Sequence, residues 1–199
     1  MDTPEDLISA TQMMENPILK KMKVLEVKAR ELQKTLVDLI SSTNDLTRLD
    51  KFEIYLEWLN TKTNKIKEEP TFDTTIIPEL NRGDVILVDL GFNIGEEFGG
   101  EHPAIVLRNC RQANKSVTIL PITSQEPKNK DIPIYVRIGK IHGLNQDYHW
   151  ANIVNLRSIS KQRIIYPPEP KKVDGVVLNR MSQTIKSQIA LLKDIKKDN

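Results

Sequence analysis

Between an apolar run ending at Leu90 and another opening at Ala104, the chain reads GEEFGGEHP, Gly95 to Pro103. Three glycines free the backbone to bend where a β-carbon would restrict it, and His102 stands at the loop's exit. Imidazole takes up and returns protons near neutral pH. A positioned acid–base group typically supplies about 10²- to 10⁴-fold in rate. A bendable loop that delivers an imidazole to a strand end can therefore do acid–base chemistry on a phosphodiester. The competing reading makes His102 a surface residue or a simple support for the loop.

Few other residues compete for that chemistry. No His/Cys/Asp/Glu cluster has metal-ligand spacing, and no Gly–Lys phosphate loop is present, so no cofactor is expected. Cys110 lies in an apolar strand pattern and reads as a buried, inert thiol. His142 and His149 fall in a polar stretch and read as loop or surface residues. Glu97 reads as a solvated carboxylate or as a brace to Arg82 or His102.

The loop needs a scaffold, and the composition permits one. The chain has 199 residues, 39% apolar and 28% charged, which fits a globular protein. No apolar run is long enough to cross a bilayer. The acidic start MDTPEDLISA lacks the basic region of a secretory signal, and a cytoplasmic location is expected. Charge is unevenly spread: residues 1–81 carry 15 acidic and 11 basic side chains, and residues 82–199 carry 12 and 18. The basic second part is the better candidate for a polyanionic partner.

The apolar period divides the chain in the same place. Thr3-Pro4-Glu5-Asp6 predicts a helix start and a short helix to about Glu15, and Asn16-Pro17 interrupts it. Ile18, Met22, Leu25, Ala29, Leu32, Leu36 and Leu39 then form a heptad seam. Ser41 to Asp45 breaks that helix and offers N-cap oxygens. A second seam runs through Leu49, Phe52, Leu56, Leu59 and Ile66. The two seams predict an antiparallel, coiled-coil-like helical hairpin over residues 1–69, each stripe covered by the other or by a second copy. Prolines and polar residues over 70–81 read as a linker, with Ile76-Ile77 able to dock on a neighbour.

From residue 82 the period becomes that of strands. DVILVDL (84–90), AIVLRN (104–109), VTILPI (117–122), IYVRI (134–138) and WANIVNL (150–156) are short β-rich runs between turn-forming clusters. Strands this short with no helices between them predict a small antiparallel barrel or sandwich. After YPPEPKK, a terminal helix carries one stripe through Leu178, Met181, Ile185, Ile189 and Leu192. The fold class expected is α+β: an N-terminal helical hairpin, then a barrel over 82–199 ending in a C-terminal helix.

Four segments of this second part resemble, in order, those of the MazF/PemK toxins, endoribonucleases of type II toxin–antitoxin systems. RGDVILVDL (Arg82 to Leu90) is similar to the family's first strand. GEEFGGEHPAIVL (Gly95 to Leu107) is similar to its glycine-rich loop and second strand. PITSQ (Pro121 to Gln125) resembles its ITxQ-type turn, and NLRSISKQRI (Asn155 to Ile164) its late strand. The resemblance covers about 82–195 and implies an SH3-like barrel. The activity it implies is metal-independent, sequence-specific cleavage of single-stranded RNA, leaving 2′,3′-cyclic phosphate and 5′-hydroxyl ends. It also implies a homodimer and an antitoxin partner. Thr123 matches the threonine that the family implicates in cleavage. His102 occupies the position of the family's arginine without matching it.

That departure changes the chemistry available. An arginine is a fixed positive charge, good at steadying a phosphorane and poor at taking a proton. Free imidazole titrates near ~6.5 and can accept one. The expected assignment is His102 as general base or acid and Thr123 as a hydrogen-bond donor to the phosphoryl oxygen. For RNA contact the candidates are the loop residues Gly95, Glu97, Gly99 and Gly100, the turn residues Ser124 and Gln125, and the cations Arg108, Arg157, Lys161 and Arg163. Phe92, Phe98 and Trp150 are candidates for base stacking. Two other readings stay open. One is a non-catalytic barrel that binds RNA or a protein, as in the topoisomerase-poisoning sister family. The other is a structural or regulatory role centred on the helices.

Overall fold

The computed structural model describes residues 16–95, 97–165 and 171–194, with side chains up to residue 188. The helix predicted before Asn16 and the stripe positions Ile189 and Leu192 lie outside that description. The chain forms two compact units, Met1–Glu57 and Trp58–Asn199. The sequence-based boundary at 69–82 lies C-terminal to this division.

In the first unit, α1 (Pro17–Ser41) begins as its residues dictate. Pro17 occupies the first turn, and the Asn16 side chain accepts the Ile18 N–H at 2.9 Å. After the polar break, Asp45 accepts the Thr47 N–H at 2.9 Å and starts α2 (Leu46–Glu68). The helix–turn–helix order is the expected one, but the burial is not. Ile18, Met22, Leu25, Leu32 and Leu39 are exposed, and neither helix contains a buried residue. Partial burial of apolar side chains over 16–57 is confined to Leu19, Leu36, Ile40, Leu49, Phe52 and Tyr55. Among the described residues of this unit, the α1 seam therefore has no covering partner along most of its length.

The second unit takes in residues 58–68 of α2, because no glycine or proline interrupts the helix before Pro70. Two 3₁₀ turns follow, Glu69–Thr71 and Thr74–Ile76. Ile77 and Leu80 are then buried, while Ile76 stays exposed. Leu80 forms a bridge with Cys110. Ile77 and Leu80 of the 70–81 segment thus pack against the sheet.

Seven strands follow: β1 (Asp84–Asp89), β2 (Glu101–Val106), β3 (Ser116–Thr123), β4 (Tyr135–Gly139), β5 (His149–Asn152), β6 (Arg157–Ser160) and β7 (Lys171–Lys172), then α3 (Gly175–Asp194). They form one sheet in the order β4-β5-β3-β2-β1-β7, with β6 also paired to β3, and every pairing is antiparallel. The α+β class, with helices before and after an antiparallel sheet, is the one the sequence predicts. β5 stops at Asn152, short of the predicted Leu156, because the Asn152 side chain caps a 3₁₀ turn.

β3 changes partners along its length. Ser116 to Ile119 pair with β6, and Ile122 and Thr123 pair with β5. Pro121 sits at the switch, where its missing N–H deprives neither ladder. The sheet buries side chains on both faces. Val85, Ile105, Leu120 and Ile122 pack with Leu178 and Met181 of α3. Ile86, Val88, Ala104, Val106 and Ile119 pack with Ile77, Leu80 and Cys110.

Candidate active site

His102 lies on β2 opposite Val88 of β1, and both it and Thr123 are half-buried. The β2–β3 register pairs Ala104 with Pro121. Two residues further along each strand come His102 and Thr123. Side chains alternate faces with period two, so these two share the face of Ala104 and Pro121. The β2–β3 ladder ends at the Ala104–Pro121 pair, so His102 and Thr123 both lie just past its end. Across β3, Thr123 pairs with Trp150 of β5, and Trp150 pairs with Arg137 of β4. His102 is thus paired with Val88 on one side of the ladder's end, and Thr123 with Trp150 and through it Arg137 on the other.

Each of these residues has a defined environment. The His102 ring meets Phe98 edge-on, with centroids 4.7 Å apart and planes at 60°. The Thr123 Oγ1 accepts the Gln125 N–H at 3.1 Å and holds the turn, which leaves the hydroxyl proton to donate. Trp150 is 7% exposed, and its indole N–H has no partner among the described residues. Arg137 is exposed, with its guanidinium carbon 5.0 Å from the Tyr148 ring centroid.

The glycine-rich loop has a closed neck. The Leu90 N–H donates to Gly100 O at 2.8 Å, and the Gly100 N–H donates to Gly91 O at 2.7 Å. Inside the loop, the Asn93 amide donates to Leu90 O and Phe98 O. Gly95, Glu97 and Gly100 are exposed and Gly99 is half-buried. Ser124 and Gln125 are exposed beside Thr123. Loop and turn therefore reach the same end of the sheet as His102.

Of the four expected cations, Arg163 lies at the base of that loop and the other three lie elsewhere. Arg108 is exposed six residues beyond His102, about 20 Å along the β2 direction at ~3.3 Å per residue. Arg157 is half-buried and pairs with Ile119, four residues from Thr123. Lys161, expected at a phosphate, is 0% exposed, and its ammonium donates to Arg111 O at 2.9 Å and Gln112 O at 3.0 Å. Arg163 is half-buried and turned inward, donating to Leu90 O at 2.9 Å and Asp89 O at 3.3 Å.

Two further expectations need correction, and that for the burial of Cys110 is met. The Glu97 brace is not formed: Arg82 donates to Ser182 Oγ and Leu178 O, and no ion pair among the described residues involves Glu97. His149 is a buried strand residue rather than a loop or surface one, with Nδ1 3.5 Å from Gly139 O, while His142 is exposed. Cys110 is a buried free thiol whose Sγ donates to Ser116 O at 3.3 Å. Sequence reasoning missed Arg137, which the alternation of IYVRI places on the outer face.

The family model described as "PemK-like, MazF-like toxin of type II toxin-antitoxin system" matches residues 81–191. The chain belongs to this family. Endoribonuclease EndoA of Bacillus subtilis (strain 168) is 28% identical over 116 residues, 57% of this chain and 97% of that protein. The crystal structure of MazF from Deinococcus radiodurans aligns with a TM-score of 0.45 and 20% identity, over 56% of this chain and 97% of the other. An endoribonuclease from a mycobacterial species, in complex with its cognate antitoxin, aligns at 0.42 and 19%, over 56% and 96%. The PemK/MazF match begins at Asn81, so it includes all of these residues from β1 to β4. It excludes α1 and α2. No helix among the described residues is long and apolar enough to cross a membrane.

Proposed function

We propose that the PemK/MazF-like domain is a sequence-specific endoribonuclease that cuts single-stranded RNA by attack of a ribose 2′-hydroxyl on the adjacent phosphate. The bond formed is 2′-O–P and the bond broken is P–5′-O. The products are a 2′,3′-cyclic phosphate and a 5′-hydroxyl. In this reading His102 takes the 2′ proton or delivers one to the departing 5′ oxygen. Thr123 donates its hydroxyl proton to a non-bridging oxygen. No metal is assigned a step. Arg137, two strands from Thr123, faces a neighbouring phosphate and offsets part of the positive charge that the family's arginine would supply. Gly95, Glu97, Gly99 and Gly100 of the loop and Ser124 and Gln125 of the turn contact the strand being cut.

The observation that supports this reading is that His102 and Thr123 each lie two residues past the paired Ala104 and Pro121, on their face of the strands and at the end where the loop arrives. Family membership and the similarity to EndoA support the reaction class. Membership of a type II toxin–antitoxin family supports an antitoxin as the physiological partner of a cytoplasmic, homodimeric toxin.

The test is cleavage of single-stranded RNA in EDTA by the purified chain, with the ends mapped. Fragments with 5′-hydroxyl ends at a short recurring motif are expected. His102→Ala should lose about 10²-fold or more in rate while its unfolding midpoint stays parental. Cleavage by that variant at the parental rate defeats the assignment. Retardation of RNA without any cleavage by the parental chain identifies a binding module instead.

A further inference from the structure

We propose that Trp58, on the helix that precedes the family domain, is a positioning residue for His102. It acts by clamping the neck of the glycine-rich loop. The proposal rests on the reading of His102 above. It adds a role for a segment that lies outside the family match.

The indole lies directly on the loop's first glycine. Gly91 has φ +78°, the left-handed region that glycine enters without strain. A β-carbon built there would stand 2.1 Å from Trp58 Cε2 and Cζ2. No side chain other than hydrogen fits beneath the ring. The same indole lies 5.1 Å, centroid to guanidinium carbon, from Arg163. Arg163 in turn donates to Leu90 O and Asp89 O, the two carbonyls just before Gly91. Two turns along α2, on the same helix face seven residues later, Lys65 Nζ donates to Gln162 O at 2.8 Å. The Gln162 side-chain amide donates back to Lys65 O at 3.0 Å. Helix, β6 exit and loop base are thereby fastened at two points.

From Gly91 the path to the imidazole is short. Gly91 O accepts the Gly100 N–H, Gly100 O accepts the Leu90 N–H, and Gly100 is two residues from His102. The far wall of the loop ends in Phe98, whose ring abuts His102. A tryptophan serving only as core would join one of the two hydrophobic clusters. Trp58 is in neither; it covers the backbone of the neck. Glycines on both sides of that neck leave it little stiffness of its own, so the ring supplies it.

The experiment uses the full chain and compares Trp58→Ala, Trp58→Phe and Gly91→Ala with the parent. Two readouts are independent of activity: amide exchange at Leu90 and Gly100, and the His102 ring proton shifts, which Phe98 influences. Steady-state cleavage of a short single-stranded RNA gives kcat and KM. In Trp58→Ala, exchange at both neck amides should rise at least about tenfold, with Val106 unchanged. The His102 shifts should move toward free imidazole, and kcat should fall about tenfold with a smaller change in KM. Trp58→Phe should recover most of each, and Gly91→Ala, which drives the ring off from below, should reproduce the loss. Unchanged neck exchange and His102 shifts in Trp58→Ala overturn the proposal, as does parental kcat despite an opened neck. If the parental chain cleaves no RNA, the nuclease reading falls, and exchange with the ring shifts still decides whether Trp58 places His102.

Discussion

Replacing Lys161 separates a structural cation from one that meets RNA. Its side chain is fully buried and its ammonium is bonded to two carbonyls of the turn after Cys110. Lys161→Ala removes three buried methylenes, about 2.4 kcal/mol at about 0.8 each. It also removes two charge-assisted hydrogen bonds, each about 1.5–3 kcal/mol. Against these stands relief of the ammonium's desolvation, several kcal/mol, which roughly cancels the hydrogen-bond loss. The net expectation is about 2–4 kcal/mol, in line with other truncations of buried long side chains. For a domain of this size that lowers Tm by roughly 5–15 °C. Lys161→Met keeps the hydrocarbon and should cost less than about 1.5 kcal/mol. Urea denaturation measures both. RNA affinity as a function of salt supplies the opposing test, because removing one cation from a phosphate lowers the log–log slope by about 0.7 for single strands. The slope should be unchanged in Lys161→Met. A variant of parental stability with a slope reduced by about 0.7 would refute the structural role.

Arg137→Gln should weaken RNA binding and lower the salt slope by about 0.7, while Arg108→Gln, at the far end of β2, leaves cleavage at the parental rate. Equal effects from the two would remove Arg137 from the site. Gly83 has φ +94°, and an added β-carbon would meet Leu178 Cδ1 at 2.6 Å. Gly83→Ala should therefore cost about 1–3 kcal/mol in backbone strain alone, read by urea denaturation. In α1, Leu25→Gln and Leu32→Gln should each change stability by no more than about 0.5 kcal/mol in dilute solution. A concentration-dependent loss above that shows the seam is covered by a second chain.

The strands are legible because DVILVDL and VTILPI are short runs crowded with apolar and β-branched residues between turn signals, as strands buried on both faces must be. The start of β2 is not. Pro103 argues against a strand, yet the partner that would need its N–H begins only at Ala104, so Glu101 to Val106 form one strand. The loop's histidine and the turn's threonine are legible as residue types, but their shared face depends on register, which no single segment encodes. Lys161 and Arg163 look like surface cations because KQR is polar. What fixes them is the chain 50 and 73 residues away, at Arg111 and Leu90. The heptad seam of α1 announces a helix correctly and does not name what covers it, since period describes one face and not its partner. Trp58 is invisible as a contact because it belongs to a helical pattern while its target is a glycine backbone 33 residues on.

β3 couples to three neighbours at once, with Ile122 fully buried and Thr123 half-exposed side by side. A slip of one residue would trade their faces, putting a hydroxyl into hydrocarbon and an isoleucine at the groove. The threonine's placement is thus locked to the same threading that assembles the interior. Single-codon insertions should be tolerated in the largely exposed 126–133 connection from β3 to β4 and be ruinous anywhere between Ser116 and Thr123, and a deep indel scan would draw that border residue by residue.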